Sequence, residues 1–260
     1  MTPPDSPLRV VESGRREASL VVLLHGWGSS AAVMQGFANA LADRYCILNV
    51  DLPGHGTAPP PAAPMGMEEH AEAVASLLDR PAHVIGHSNG GRIALFMASH
   101  ARHSPLVRSL SLVSPSGIER PRSTGFRVRR ALATTLKAPF GLLPPPLREA
   151  GLDWLRHSLV WRLLGSSDYR ALEGTMRETF VRLVNTYVAD RLDRIAVPTL
   201  LFWGTSDEAV LRPQIDALVH GIADAGLVTL EGAGHYGFLD QPDRVFAGTR
   251  HFLDTLEGAE

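Results

Sequence analysis

A serine and two glycines form a turn motif that could carry nucleophilic chemistry. Ser88 is the central residue of Gly86–Gly90, which reads GHSNG and directly follows the apolar run Ala82–Ile85. Between a strand and a helix, this G-x-S-x-G pattern predicts a sharp turn that holds the serine at its apex in a strained conformation. A serine held there could attack a carbonyl carbon. The simpler interpretation is a turn rich in Ser and Gly before a helix.

Two further turns supply a candidate base and a candidate acid. A serine hydroxyl is a weak nucleophile until a base takes its proton, and an acceptor must hold that base in one tautomer. His235 follows an apolar run within Gly232–Tyr236, which reads GAGHY, and is the candidate base. Asp207 ends the segment WGTSD and is the candidate acid, with Glu208 as its alternative. These turns follow apolar runs, so we expect them at one edge of a parallel sheet, together with the serine.

Two backbone amides are candidates for holding a developing oxyanion. His25–Gly28 reads HGWG and follows the apolar run Leu20–Leu24, which places the Trp27 amide near the serine turn. Asn89 opens the next helix, so its amide lies at the positive end of the helix dipole. We therefore predict an oxyanion hole formed by the Trp27 and Asn89 amides. An alternative interpretation is that the two glycines of HGWG only allow the chain to make a tight turn.

The elements that must position these residues alternate between short apolar runs and longer helical patterns. Fully apolar runs are typical of strands covered on both faces, and their alternation with helices predicts an α/β fold with a mostly parallel sheet. The predicted strands are Leu20–Leu24, Cys46–Val50, Ala82–Ile85, Ser109–Val113, Thr199–Trp203 and Leu227–Leu230, with Leu8–Glu12 as an edge strand. The predicted helices are Ala31–Leu41, Glu68–Leu78, Gly90–Ala101, Arg212–Ile222 and Asp243–Leu256.

One long stretch interrupts this alternation. Residues 118–194 are helical in pattern with no strand between, far longer than an ordinary connection. We interpret them as a helical cap inserted in a core formed by residues 1–117 and 195–260, although a peripheral helical layer would have the same pattern. A cap over the strand ends would contact substrate, and we predict Trp154 and Trp161 from the cap and Tyr236 from the core as binding residues.

The composition narrows the class of partner. The chain has 260 residues, a net charge of −2 and one cysteine, Cys46, so it offers no internal disulfide. It has neither an overall basic charge suited to nucleic acid nor an apolar run of membrane-spanning length, and no leader is visible. We therefore expect a cytoplasmic protein. No phosphate loop and no His pair at i, i+4 with a Glu is present, so neither a cofactor nor a metal site is expected.

The predicted cap is the exception to the near-neutral charge. Residues 118–165 contain nine Lys and Arg residues against three acidic ones. A basic surface could attract an anionic or carrier-linked acyl substrate. A solvated helix face would explain the same charges.

Taken together, the motifs resemble those of the α/β-hydrolase superfamily. They are HGWG at His25–Gly28, DLPGHG at Asp51–Gly56, GHSNGG at Gly86–Gly91, and the turns of Asp207 and His235. The resemblance implies an α/β-hydrolase fold in which Ser88, Asp207 and His235 cleave carboxylic esters through an acyl-enzyme. The HGWG loop is similar to that of the pimeloyl-carrier-protein methyl ester esterases, a family whose acidic carrier would suit a basic cap.

Two alternative functions use the same residues. One is a hydrolase of carbon–carbon bonds in ring-cleavage products, although such enzymes usually carry a Trp after the catalytic His, where this chain has Tyr236. The other is a ligand-binding receptor that retains a slow triad. Epoxide hydrolases and haloalkane dehalogenases use an Asp nucleophile, and Ser88 argues against both.

Overall fold

A seven-stranded sheet runs through the part of the protein that the computed structural model describes, residues 6–120 and 172–258. The strands are β1 (Arg9–Gly14), β2 (Leu20–Leu24), β3 (Cys46–Asp51), β4 (Ala82–His87), β5 (Val107–Val113), β6 (Thr199–Gly204) and β7 (Ala225–Leu230). Their order is β1-β3-β2-β4-β5-β6-β7. Only β1 is antiparallel to its neighbour among these strands, which confirms the mostly parallel sheet and its edge strand.

Helices follow most of the strands. The α-helices are α1 (Gln35–Leu41), α2 (Met67–Ala75), α3 (Asn89–Ser99), α4 (Gly174–Val184), α5 (Arg212–Gly221), α6 (Gly237–Asp240) and α7 (Pro242–Leu256). Short 3₁₀ segments occur at Ala31–Met34, Ser104–Leu106 and Ala189–Arg194. Within the described ranges, none of the helices combines the length and the apolar character needed to cross a membrane.

The apolar strands form because the sheet is covered on both faces. All five residues of β2 are buried. Leu20, Val22 and Leu24 pack into the cluster on one face, which includes α2, α3 and α5. Val21 and Leu23 pack into the cluster on the other face, with α1 and α7. Because successive side chains of a strand point to opposite faces, a strand between two helical layers must be apolar throughout.

The predicted cap lies largely outside the described residues, and Trp154 and Trp161 lie there too. The described part of residues 118–194 contains α4, which contacts the core at several points. Thr179 Oγ1 accepts a hydrogen bond from the Met65 amide at 3.0 Å. The ring of Phe180 lies 5.1 Å from that of Trp27. The end of the predicted cap therefore contacts the loop that follows β2, and the boundaries of the cap remain a prediction.

Candidate active site

The turn between β4 and α3 holds Ser88 in a strained backbone conformation. Ser88 has φ 50° and ψ −109°, a region that residues with a side chain rarely adopt. The turn is as tight as the sequence predicts, because a Cβ added to Gly86 would lie 2.7 Å from the Cα of Gly91. Strain of this kind persists only where the surroundings impose it, and it is concentrated at functional sites.

Asp207 and His235 are joined directly. His235 Nδ1 lies 3.0 Å from Asp207 Oδ2 and 3.2 Å from Oδ1. Asp207 Oδ1 also accepts hydrogen bonds from the amides of Ala209, at 2.8 Å, and Val210, at 3.0 Å. Because a carboxylate only accepts hydrogen bonds, the proton of a neutral His235 sits on Nδ1, which leaves Nε2 free to act as a base.

The environment keeps Asp207 ionised. Its burial opposes the charged form, but hydrogen bonds from His235 and from the Val210 amide outweigh this cost, so the pKa of Asp207 lies below its ordinary value. The Asp207 side chain is fully buried, while that of His235 is 21% exposed. The arrangement therefore provides a fixed negative charge beneath a partly accessible imidazole.

The turns of Ser88 and His235 lie against each other. The ring of His87, the residue before Ser88, lies 4.8 Å from the ring of His235. Within the described residues, the His235 ring is hydrogen bonded to Asp207 and not to Ser88. The structure thus joins the predicted acid and base directly and brings the predicted nucleophile beside them through its neighbour. Hydrogen bonds at catalytic sites are often long before substrate binds.

The two residues predicted to supply the amides of an oxyanion hole lie near Ser88 in the structure. Asn89 is the first residue of α3, so its amide has no acceptor within the helix. A Cβ added to Gly26 would lie 3.2 Å from Ser88 Cβ, which shows how closely the loop carrying Trp27 passes the serine. Asn89 follows Ser88 and Trp27 follows Gly26, so both residues lie near this contact, and an oxyanion hole formed by their amides stays a prediction.

The loop carrying Trp27 is held by a buried histidine. His25 Nδ1 donates to the carbonyl of Gly26 at 2.7 Å, and His25 Nε2 accepts from the amide of Leu52 at 3.0 Å. These two bonds fix one tautomer of a neutral ring. Burial lowers the pKa of His25 to about 4, so the ring stays neutral near pH 7. His25 therefore supports the loop and is not a candidate base.

His55, in the DLPGHG turn, also has structural contacts. His55 Nδ1 donates to the Pro53 carbonyl at 2.9 Å, and its ring meets that of Trp27 edge to face at 4.7 Å. The turn itself is held by Asp51, whose Oδ2 accepts from the Thr57 amide at 2.8 Å. These contacts give His55 a structural role in the turn.

An open cleft of about 410 Å³ lies beside the Trp27 loop. Trp27 and His55 from the core and Leu172, Glu173 and Met176 from the predicted cap line it. Tyr236, the third predicted binding residue, lies elsewhere. Its ring is 4.6 Å from His87 and is 37% exposed. Polar and apolar groups line the cleft in similar measure, and Ser88 is not among the described residues that line it.

A separate group of side chains has the residue types of a metal site. His103 Nε2 lies 3.2 Å and His100 Nε2 3.8 Å from the carboxylate of Glu68, at the end of α3 far from Ser88. Histidines that bind metals usually donate their other ring N–H to an acceptor, and the buried Nδ1 of His100 has no hydrogen-bond partner among the residues that the structure describes. We assign this group a structural role, in which it ties α2 to the end of α3.

Comparison with known proteins agrees with this fold and these motifs. The chain belongs to the alpha/beta hydrolase family, whose model matches residues 21–248. It is 31% identical over 250 residues to a pimeloyl-[acyl-carrier protein] methyl ester esterase of Neisseria meningitidis, spanning 90% of this chain and 76% of that protein. The protein of the same name from Aeromonas hydrophila is 30% identical over 251 residues, spanning 90% of this chain and 94% of that protein.

A solved structure shows the same architecture. A hydrolase from Pseudomonas aeruginosa superimposes with a TM-score of 0.70 at 26% identity, covering 95% of this chain and 94% of that one. The match extends over nearly the whole chain, so the sheet and its helices are those of the family.

Sequence reasoning missed one residue at the site. His87 is fully buried, and its Nε2 donates to the carbonyl oxygen of His235 at 3.1 Å. The motif gives no signal for this bond, because the residue before the serine varies in a G-x-S-x-G pattern. Only the packing of the turn of His235 against the end of β4 reveals it.

Proposed function

We propose that this protein is a serine hydrolase of carboxylic esters that works through an acyl-enzyme on Ser88. The observation that carries the proposal is the Asp207–His235 pair beside the strained turn of Ser88. Membership in the alpha/beta hydrolase family and similarity to methyl ester esterases support the same reaction class.

In the proposed first half-reaction, Ser88 Oγ attacks the carbonyl carbon of the ester while His235 Nε2 takes its proton. The carbonyl oxygen becomes an oxyanion that accepts hydrogen bonds from the Trp27 and Asn89 amides. When the tetrahedral intermediate collapses, the bond to the alcohol oxygen breaks, and His235 gives its proton to the departing alcohol. Asp207 stabilises the imidazolium that forms between these two steps.

In the second half-reaction, water replaces the alcohol. His235 takes a proton from the water as its oxygen attacks the acyl carbon, and the same amides hold the new oxyanion. Collapse breaks the bond to Ser88 Oγ, which recovers the proton from His235. The products are a carboxylic acid and the free enzyme.

The proposed substrate is an ester of a small alcohol whose acyl part is anionic or attached to a carrier. Two observations support it. The relatives from Neisseria and Aeromonas are named for a methyl ester on an acyl-carrier protein. The sequence of residues 118–165 is strongly basic. The expected cytoplasmic location is part of the same proposal. Faster turnover of carboxylate-bearing esters than of neutral ones at low salt, with the difference reduced at high salt, would support this class.

Substitution of the nucleophile and the base tests the proposed reaction. We expect Ser88→Ala and His235→Ala each to lower kcat on a p-nitrophenyl ester by about 10³-fold or more, because members of a triad act as a unit. Ser104→Ala and His251→Ala are matched controls, since both residues lie outside the site, and both should keep wild-type rates. Activity retained in Ser88→Ala would show that the serine is not the nucleophile.

Two further measurements separate the alternatives. A fluorophosphonate probe should label Ser88 in the folded protein, and absence of labelling would favour a ligand-binding receptor. The ratio of kcat/KM for an ester to that for a ring-cleavage diketone distinguishes the two hydrolases. We expect the ester to be preferred, and a preference for the diketone would assign carbon–carbon cleavage to the same residues.

A further inference from the structure

The side chain of His87 lies completely buried at the end of β4, directly before Ser88. Its ring is surrounded by aromatic rings from the turn that carries His235. The centroid distances are 4.8 Å to His235, 4.6 Å to Tyr236 and 5.1 Å to Phe238. His87, the residue before Ser88, therefore packs into the turn that carries His235.

A hydrogen bond joins the same two turns. His87 Nε2 lies 3.1 Å from the carbonyl oxygen of His235. A carbonyl oxygen only accepts, so Nε2 carries the proton and the tautomer of His87 is fixed. Burial, and after it the neighbouring His235, lowers the pKa of His87 to about 3. The ring therefore remains neutral near pH 7 and does not act as a second base.

A third segment closes over the other side of the ring. A Cβ added to Gly26 would lie 2.9 Å from His87 Nδ1, so the loop after β2 passes directly over this nitrogen. The Nδ1 atom is buried and has no hydrogen-bond partner in the part of the chain that the structure describes. Leaving a buried polar atom without a partner costs free energy, so its presence beside Ser88 calls for a physical explanation.

We infer that His87 is a positioning residue, a neutral imidazole that holds the His235 turn against the Ser88 turn and beneath the Gly26 loop. The inference rests on the proposed function, because the position of His235 matters for rate only if His235 is the base for Ser88. It goes beyond the triad in assigning a role to a residue that the motif leaves variable. The alternative is that His87 only fills the core, in which case its loss would change stability alone.

Two substitutions separate these roles. Leucine at position 87 removes the donor and keeps an apolar side chain, whereas glutamine keeps an N–H donor at a similar reach. We expect His87→Leu to lower kcat on a p-nitrophenyl ester by about 10- to 100-fold, with KM within about threefold, because a displacement of about 1 Å can cost 10²-fold. His87→Gln should retain kcat within about threefold. Thermal unfolding and circular dichroism report folding in both variants.

The outcomes distinguish this inference from the proposed function. Ser88→Ala is measured in parallel, and if it remains active the proposed function fails. If Ser88→Ala is inactive while folded His87→Leu has wild-type kcat, only the positioning role is overturned. Equal losses in His87→Leu and His87→Gln, with both variants folded, would also overturn it, since the donor would then be irrelevant.

If His87→Leu does not fold, His87→Asn replaces it, because the shorter amide of asparagine does not reach the His235 carbonyl. Equal kcat in the Asn and Gln variants would overturn the inference.

Discussion

Gly26 lies where the loop after β2 passes close to the Ser88 turn. It needs no positive φ. What it needs is space, because a Cβ at this position would meet His87 Nδ1 at 2.9 Å and Ser88 Cβ at 3.2 Å. Those two atoms belong to the turn that places the proposed nucleophile. A single methyl group here therefore tests how closely the two loops must fit.

We expect Gly26→Ala to lower kcat by about tenfold or more, because the loop must move away from Ser88 and carries the Trp27 amide with it. Gly226→Ala is the matched control. Within residues 6–120 and 172–258, a Cβ at Gly226 would meet one atom, Leu200 Cδ1 at 3.6 Å, and this substitution should leave kcat unchanged. Steady-state kinetics and thermal unfolding of both variants provide the measurement, and a Gly26→Ala enzyme with wild-type kcat would contradict the close fit.

At the scale of elements, α4 is attached to the core through a buried arginine. Arg92, in α3, donates to the carbonyl of Leu183 near the end of α4 and to Ser116 Oγ at 3.2 Å. Burial lowers its pKa to about 10, so it remains charged near pH 7. A cation at the C-terminal end of a helix is favoured by the helix dipole. Arg92 therefore donates a hydrogen bond to that end of α4 and also stabilises it by its charge.

Loss of the contacts of Arg92 with α4 should lower the stability of the protein. We expect Arg92→Met to lower the free energy of unfolding by about 1–3 kcal/mol, because the Leu183 carbonyl loses its charged donor and keeps the backbone amide of Thr186, at 3.1 Å. Arg102→Met, at an exposed position after α3, removes a surface ion pair with Glu72 and should cost about 0.5 kcal/mol or less. Urea denaturation of both variants measures the difference, and equal effects would show that α4 does not depend on Arg92.

The elements differ in how far the sequence predicts them. β2 is found at the predicted residues, Leu20–Leu24, since burial on both faces leaves an unmistakable apolar run. The helix predicted over Ala31–Leu41 begins instead as a 3₁₀ segment and becomes α-helical only at Gln35. The amide at the start of that segment is bound by a residue far away in sequence, since Asp51 Oδ1 accepts from the Ala31 amide at 2.6 Å. Local periodicity carries no information about that bond.

The candidate site also has features that the sequence predicts and features that it does not. Asp207 and His235 could be chosen from sequence because parallel strands bring their carboxyl ends to one edge, and the structure joins their side chains. The contact of His87 with the turn of His235 could not be predicted from the sequence, since it depends on how that turn packs against β4. The topology of the molecule thus determines which residues meet, while side-chain packing determines how firmly they are held.

At the scale of the whole molecule, buried neutral histidines link stability to pH. Burial lowers the pKa of His25 to about 4 and that of His87 to about 3, against 6.5 for an ordinary histidine. Below pH 6.5 the unfolded chain therefore binds protons that the folded protein does not, so acid favours unfolding. The penalty is absent above pH 6.5 and grows until the pH reaches the folded pKa.

At pH 5 each of these two groups should cost about 2 kcal/mol of unfolding free energy relative to pH 7.5. The carboxylates with lowered pKa, such as Asp207, act in a separate window below about pH 4, so they do not obscure the effect. Urea denaturation between pH 5 and 7.5 should give a stability that rises with pH. His25→Gln should reduce the rise of stability with pH, and His251→Gln, at an exposed position, should leave it unchanged. A wild-type stability that does not change with pH would show that the His25 and His87 rings are protonated in the folded protein.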